Sequence, residues 1–127
     1  MIEEKEQFKT EIQEFLKFGP KSERAVEAVL SGGVKEGLFL PSGRRILTVV
    51  GRLGDEFIDP GAPYCSCSNF FFRVTSGREE LCYHLLAYQM ASKTGKIEIV
   101  KFDDEEFPGY LSAAVRDIIR VIRESAH

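Results

Sequence analysis

The feature that most constrains this chain is a short pattern of cysteines and histidine. Cys65-Ser66-Cys67 is followed, after fourteen residues, by Cys82-Tyr83-His84. The pattern uses all three cysteines and one of the two histidines; the other, His127, is the last residue. An odd number of cysteines argues against a disulfide framework. Three thiolates and an imidazole suit one tetrahedral zinc ion, and soft sulfur donors disfavour magnesium and calcium. Each pair is separated by one residue, not the two or more of the commonest zinc fingers. The plain alternative is three buried, inert cysteines and a core histidine.

The spacing also limits the backbone at each pair. Residues i and i+2 of a strand point to the same side, so Cys65 and Cys67 can converge on one ion from an extended segment or a tight knuckle. On a helix the same two positions lie about 200° apart. Cys82 is therefore expected before the helix or at its cap, with His84 in the first turn. There the positive helix end favours a thiolate. Four protein donors leave no open coordination position, which makes the expected site structural rather than catalytic. Its metal should be coupled to folding, contributing on the order of 10 kcal/mol.

The remaining elements follow from periodicity and breakers. Phe8, Ile12, Phe15 and Leu16 recur at helical spacing and predict a helix over 2–18, ended by Gly19-Pro20. Ser22 and the stripe Ala25, Val26, Val29 and Leu30 predict a second helix over 22–31. Residues 34–40, 46–50 and 56–59 read as strands separated by Pro41-Ser42-Gly43 and Arg52-Leu53-Gly54-Asp55. Together 34–67 is expected to be an antiparallel meander that delivers Cys65 and Cys67. Residues 69–74 carry Phe70, Phe71 and Phe72, and fit strand or helix equally well; they are expected in core packing, with a base-stacking platform as the sharper reading. Ser76 and Glu79 have capping-box spacing, and a helix is predicted over 81–92. A short strand over 96–102 and a helix over about 105–125 complete the chain. Leu111, Val115, Ile118, Ile119 and Ile122 form the apolar face of that last helix. Asp103 to Glu106 reads as its acidic first turn. The expected fold class is α+β, one domain over 1–127.

Composition narrows the function classes. The chain has 127 residues, 43% hydrophobic and 29% charged, with a formal net charge of −3, which fits an ordinary globular domain. Residues 1–64 carry 9 basic and 11 acidic side chains, the rest 8 and 9, so there is no basic half. That balance does not favour a protein living by phosphate neutralisation. No apolar run is long enough to span a membrane. The acidic start, Met1 to Glu6, does not read as a signal peptide, and an intracellular protein of cytoplasm or nucleus is expected.

The ligand pattern resembles that of SWIM zinc fingers. Tyr64-Cys65-Ser66-Cys67 is similar to their first pair. Leu81-Cys82-Tyr83-His84-Leu85-Leu86-Ala87 is similar to the second, in which Leu-Leu-Ala follows the histidine. Tyr83 stands where many members have a basic residue, and Ser68 where many have proline; neither is a ligand. The resemblance covers about 44–92 and implies a ββα zinc module there, with a helical segment over 1–33 before it and a strand and helix over 96–127 after it. It implies Cys65, Cys67, Cys82 and His84 as ligands of one structural zinc. SWIM modules occur in chromatin-remodelling ATPases, transposases and ubiquitin ligases, where they are taken to bind DNA or protein. The small size and flanking helices resemble a stand-alone subgroup that partners RecA/RadA-type recombinase paralogues in homologous recombination and DNA repair.

The leading expectation is thus a non-enzymatic adaptor docking a recombinase-like ATPase. Its interface is expected to use Phe8, Ile12 or Phe15 of the first helix, or Ile118 or Ile122 of the last, with self-association where the partner is absent. The alternative is direct DNA binding through Arg116, Arg120 and Arg123, which share a helix face, with Arg44, Arg45, Arg73 and Arg78 as further candidates. The plain reading of those arginines is a solvated basic face, partly balanced by Asp117 and Glu124. An enzyme is not expected. Gly32-Gly33 and Gly51 lack a P-loop context. Ser42 and Ser66 have no spare histidine as base, and a thiol enzyme would need a cysteine released from metal.

Overall fold

The β-branched and apolar residues of the middle third pair as antiparallel strands, in the order the turns predict. In the computed structural model, which describes residues 2–51, 54–61, 64–67 and 82–125, these are β1 (Val34–Leu40), β2 (Arg44–Gly51), β3 (Gly54–Asp59) and β4 (Tyr64–Cys65). Consecutive strands pair antiparallel, so the expected meander is present. A fifth strand, β5 (Glu98–Asp103), adds parallel to β1 and gives the order β4-β3-β2-β1-β5. The aromatic run 69–74, the Ser76/Glu79 signal, Arg73 and Arg78 lie outside the described residues.

Strand alternation sorts the sheet into two faces. Val34 lies opposite Val49, and Leu47, Ile58 and Cys65 follow one another across the register, all on one face. That face is covered by α1 (Ile2–Glu11), α2 (Pro20–Leu30) and α3 (Tyr83–Thr94). Their buried contributions include Phe8 from α1 and Ile12 just past its end, Ala25, Val26 and Val29 from α2, and Leu85, Leu86 and Met90 from α3. Each large aliphatic or aromatic side chain so buried contributes about 1.5–3 kcal/mol. α3 ends as expected at Gly95, whose φ of 70° is the left-handed conformation that glycine adopts without a Cβ penalty.

The first helix is shorter than expected. α1 stops at Glu11, and Gln13–Phe18 tightens into a 3₁₀ segment. With three residues per turn, Phe15 and Phe18 fall on one side. Both pack, half-buried, against the core with Leu16. Phe8 and Ile12 are fully buried, which corrects the expectation that they belong to a protein interface: the core consumes them. Phe15 is half-buried, with the Lys93 ammonium 6.0 Å from its ring centre.

The opposite face receives α4 (Phe107–Ser125) through aromatic contacts. Phe39 of β1 stacks on Phe102 of β5 at 5.2 Å and meets the edges of Phe107 and Tyr110 at 5.2 and 5.4 Å. Gly37 makes room for this, because a Cβ there would press on the Phe102 ring at 3.3 Å. The acidic run forms the helix start, as expected. Asp103 and Glu106 make a reciprocal capping box, with the Asp103 N–H donating to Glu106 Oε2 at 2.9 Å. Asp104 accepts from the Ser42 N–H and hydroxyl at 3.0 and 2.7 Å, tying this turn to the β1–β2 turn.

Candidate metal centre

The four sequence-predicted ligands come together. Cys65 is the last residue of β4 and faces the core beside Ile58, its register partner. Cys67 follows two residues later, just beyond the strand. Cys82 is the N-cap of α3, extended at φ −80° and ψ 164°, and His84 is the second residue of that helix. This is the arrangement that the one-residue spacing requires.

The donor atoms of all four lie within 4.8 Å of one another. Corners of a tetrahedron with 2.3 Å metal–sulfur bonds are about 3.8 Å apart. The set therefore needs little contraction to close on one ion. No member is more than 5% exposed, so the group is shielded from solvent.

The donors are poorly satisfied by protein alone, which is the local sign that they fit a cation. Both ring nitrogens of His84 are buried without a hydrogen-bond partner. An unsatisfied buried polar group costs about 1–3 kcal/mol, and a metal would relieve one of the two. The Tyr83 ring lies against the imidazole, with centroids 3.9 Å apart and planes tilted by 32°. The three sulfurs act on one another. The Cys65 and Cys67 thiols, aided by the neighbouring His84 ring and the Leu85 backbone N–H, pull the Cys82 thiol far below its ordinary range. Cys65 is pushed far up by its contacts with Cys67 and Cys82 and by burial. A cation would compensate the charge of these sulfurs as thiolates.

One feature of the site is absent from the sequence expectations. Ser66, between the two cysteine ligands, is buried, and its hydroxyl donates to Glu56 Oε2 at 2.9 Å. It also accepts from the Phe57 N–H at 2.9 Å. A signal for this existed in the strand alternation: Glu56 shares the inward face with Ile58 two residues on, so its carboxylate needed a buried partner.

The other sequence candidates lie elsewhere. Arg116 is exposed on α4, with its Nε donating to the Ser112 carbonyl at 3.4 Å. It lines a groove of about 790 Å³ between α4 and the outer sheet face, together with Thr48, Phe57, Tyr110, Asp55 and Glu106. Burial holds the Tyr110 hydroxyl above its ordinary range, and the Asp55 and Glu106 carboxylates add to this. Arg44 lies over the Phe107 ring at 4.7 Å, and Arg45 pairs with Glu36 at 3.5 Å. The side chains of Ile118, Arg120, Ile122 and Arg123 are outside the described set. Among the described residues, no helix is long and apolar enough to cross a membrane.

Comparison of the chain with protein-family models, with curated proteins and with solved structures finds no match.

Proposed function

We propose that Cys65, Cys67, Cys82 and His84 hold one structural zinc ion in a SWIM-type module. The observation that carries this is the buried convergence of four soft or borderline donors, with both His84 nitrogens unsatisfied. A metal bound by all four has no free position for substrate, so the reading is a non-enzymatic one. The ion would link the end of β4 to the start of α3, and its charge would compensate the thiolates. Elemental analysis should find about one zinc per chain, with metal–sulfur distances near 2.3 Å. Metal-free protein with ordered, well-separated sulfurs would defeat the assignment.

The module is read as an intracellular adaptor that docks a recombinase-like ATPase in homologous recombination and DNA repair. The partner class comes from the SWIM resemblance. Support for a protein surface comes from α4, where Leu111, Val115 and Ile119 are 51%, 47% and 41% exposed on successive turns. A continuous aliphatic row of that kind marks an interaction surface. DNA binding is the weaker reading, because Arg116 shares its groove with the carboxylates of Asp55 and Glu106. Binding of the zinc-loaded chain to a recombinase-paralogue ATPase and to duplex DNA, each titrated with salt, separates the two. Protein docking through α4 should survive 0.5 M salt to within about tenfold, whereas phosphate contacts weaken by orders of magnitude. Tight, steeply salt-dependent DNA binding without ATPase binding would reverse the order.

A further inference from the structure

Cys65 and Cys67 must reach one ion from a chain that is leaving a sheet. The last regular pairs of β3 with β4 are Asp59 with Tyr64 and Ile58 with Cys65. The next pair in register would be Phe57 with Ser66, exchanging two backbone hydrogen bonds. Half of that exchange is present: the Ser66 N–H donates to the Phe57 carbonyl at 2.9 Å. In the other half, the Phe57 N–H donates at 2.9 Å to the Ser66 hydroxyl oxygen instead of the Ser66 carbonyl.

The substitution has a geometric consequence. A strand that kept its carbonyl in the ladder would run on straight past Ser66. With Oγ in that place, the Ser66 carbonyl is released and the backbone can turn while the Phe57 N–H stays satisfied. That turn carries Cys67 back towards the ion that Cys65 faces. The hydroxyl hydrogen is fixed by Glu56, whose Oε2 accepts it at 2.9 Å in the interior. Glu56 is in turn held opposite Val49 in the β2–β3 register. A hydroxyl so anchored directs a lone pair at the Phe57 N–H and cannot rotate away.

We propose that Ser66 is a positioning residue of the metal centre: its side chain replaces its own carbonyl in the β3–β4 ladder, oriented by Glu56, and thereby sets the approach of Cys65 and Cys67. The inference rests on the zinc reading above. Groups behind the ligands of a metal site typically control affinity by about 10–100-fold, by fixing ligand orientation.

The test uses the full-length, zinc-loaded protein. Zinc affinity is measured by competition with a chelator of known strength, and ligand geometry by the absorption of the cobalt-substituted protein. Ser66→Ala should weaken zinc by about 10–100-fold and alter the cobalt spectrum at a temperature where its helices are intact. Glu56→Ala should move both readouts the same way, and Glu56→Gln, whose amide oxygen still accepts from Ser66, should restore them towards the parent. If Ser66→Ala does not fold, the Glu56→Ala and Glu56→Gln pair is read alone, and equal affinities overturn the proposal. A folded Ser66→Ala with parental affinity and spectrum overturns it as well. A parent chain that binds no zinc defeats the metal reading itself, which is a separate result.

Discussion

The two faces of the sheet are finished in opposite ways. On one, α1, α2 and α3 close over Val34, Val49 and Ile58, and the cluster runs without a break into Cys65, Cys67 and Cys82. On the other, the start of α4 is anchored by Phe107 and Tyr110 against Phe39 and Phe102. Beyond that anchor a groove of about 790 Å³ opens, and Leu111, Val115 and Ile119 face solvent. The difference separates two tasks. The closed face concentrates burial and a donor set that could hold a metal ion, so on the zinc reading it is expected to govern whether the chain folds. The open face leaves Leu111, Val115 and Ile119 exposed, the surface that the proposed recognition role would use. A domain of this size has a modest core, which on the zinc reading a metal beside it would supplement.

The largest break in that comparison should come from the closed face. Cys82→Ser removes the donor at the α3 cap and leaves a buried histidine and two thiols without their ion. The thermal transition should be lost or strongly broadened, and zinc content should fall well below one per chain, since such sites contribute on the order of 10 kcal/mol. Excess chelator should reproduce this in the parent, and acidification should as well, because the thiolates must take up protons as the metal leaves. An unchanged melting curve with zinc retained would mean that the metal is not coupled to the fold.

Phe39→Ala should come next and should separate the faces. Phe39 is fully buried but sits outside the metal-side cluster, where it holds the α4 anchor. A buried Phe→Ala change costs about 3–5 kcal/mol. Amide exchange in α4 should rise most, while zinc content stays near one per chain. Equal loss of protection in α3 and α4 would show that the two faces unfold as one unit.

How much of this was legible in the sequence differs between the faces. The metal pairs were readable because i and i+2 spacing admits few backbones: an extended segment or tight knuckle for Cys65 and Cys67, and a position before the helix or at its cap for Cys82. The meander was readable from its turns, and the acidic helix start from the run Asp103 to Glu106, whose charge favours a helix N-terminus. The fate of apolar stripes was not, because a helical period marks an apolar face without saying what covers it. Phe8 and Ile12 are spent in the core, while Leu111, Val115 and Ile119, expected as the apolar face of the last helix, stay uncovered. Nor did spacing foretell the tightening at Gln13–Phe18, where packing of Phe15 and Phe18 outweighs helix propensity, or the parallel pairing of β5 with β1, which is a long-range choice.

The smallest effect on stability should accompany the clearest effect on recognition. Leu111 and Val115 are one turn apart on α4, both about half exposed, and neither belongs to the buried cluster. Replacing both by Ser removes aliphatic surface that is already in water, so no cavity forms and no hydrogen-bonding group is buried. Surface changes of this kind usually alter stability by no more than about 0.5 kcal/mol each, and the helix-propensity cost of Ser on an exposed turn is of similar size. Melting temperature and zinc content should therefore stay close to the parent. On the adaptor reading, docking of a protein partner should weaken at least tenfold, because the row would supply the apolar centre of the interface and such centres carry most binding energy. DNA binding, if it is measurable, should be untouched by this pair and sensitive instead to Arg116→Ala. A Leu111→Ser/Val115→Ser chain that melts many degrees lower would show that the row is covered within the molecule. In that case the open face would be closed after all, and recognition would have to be sought elsewhere on the surface.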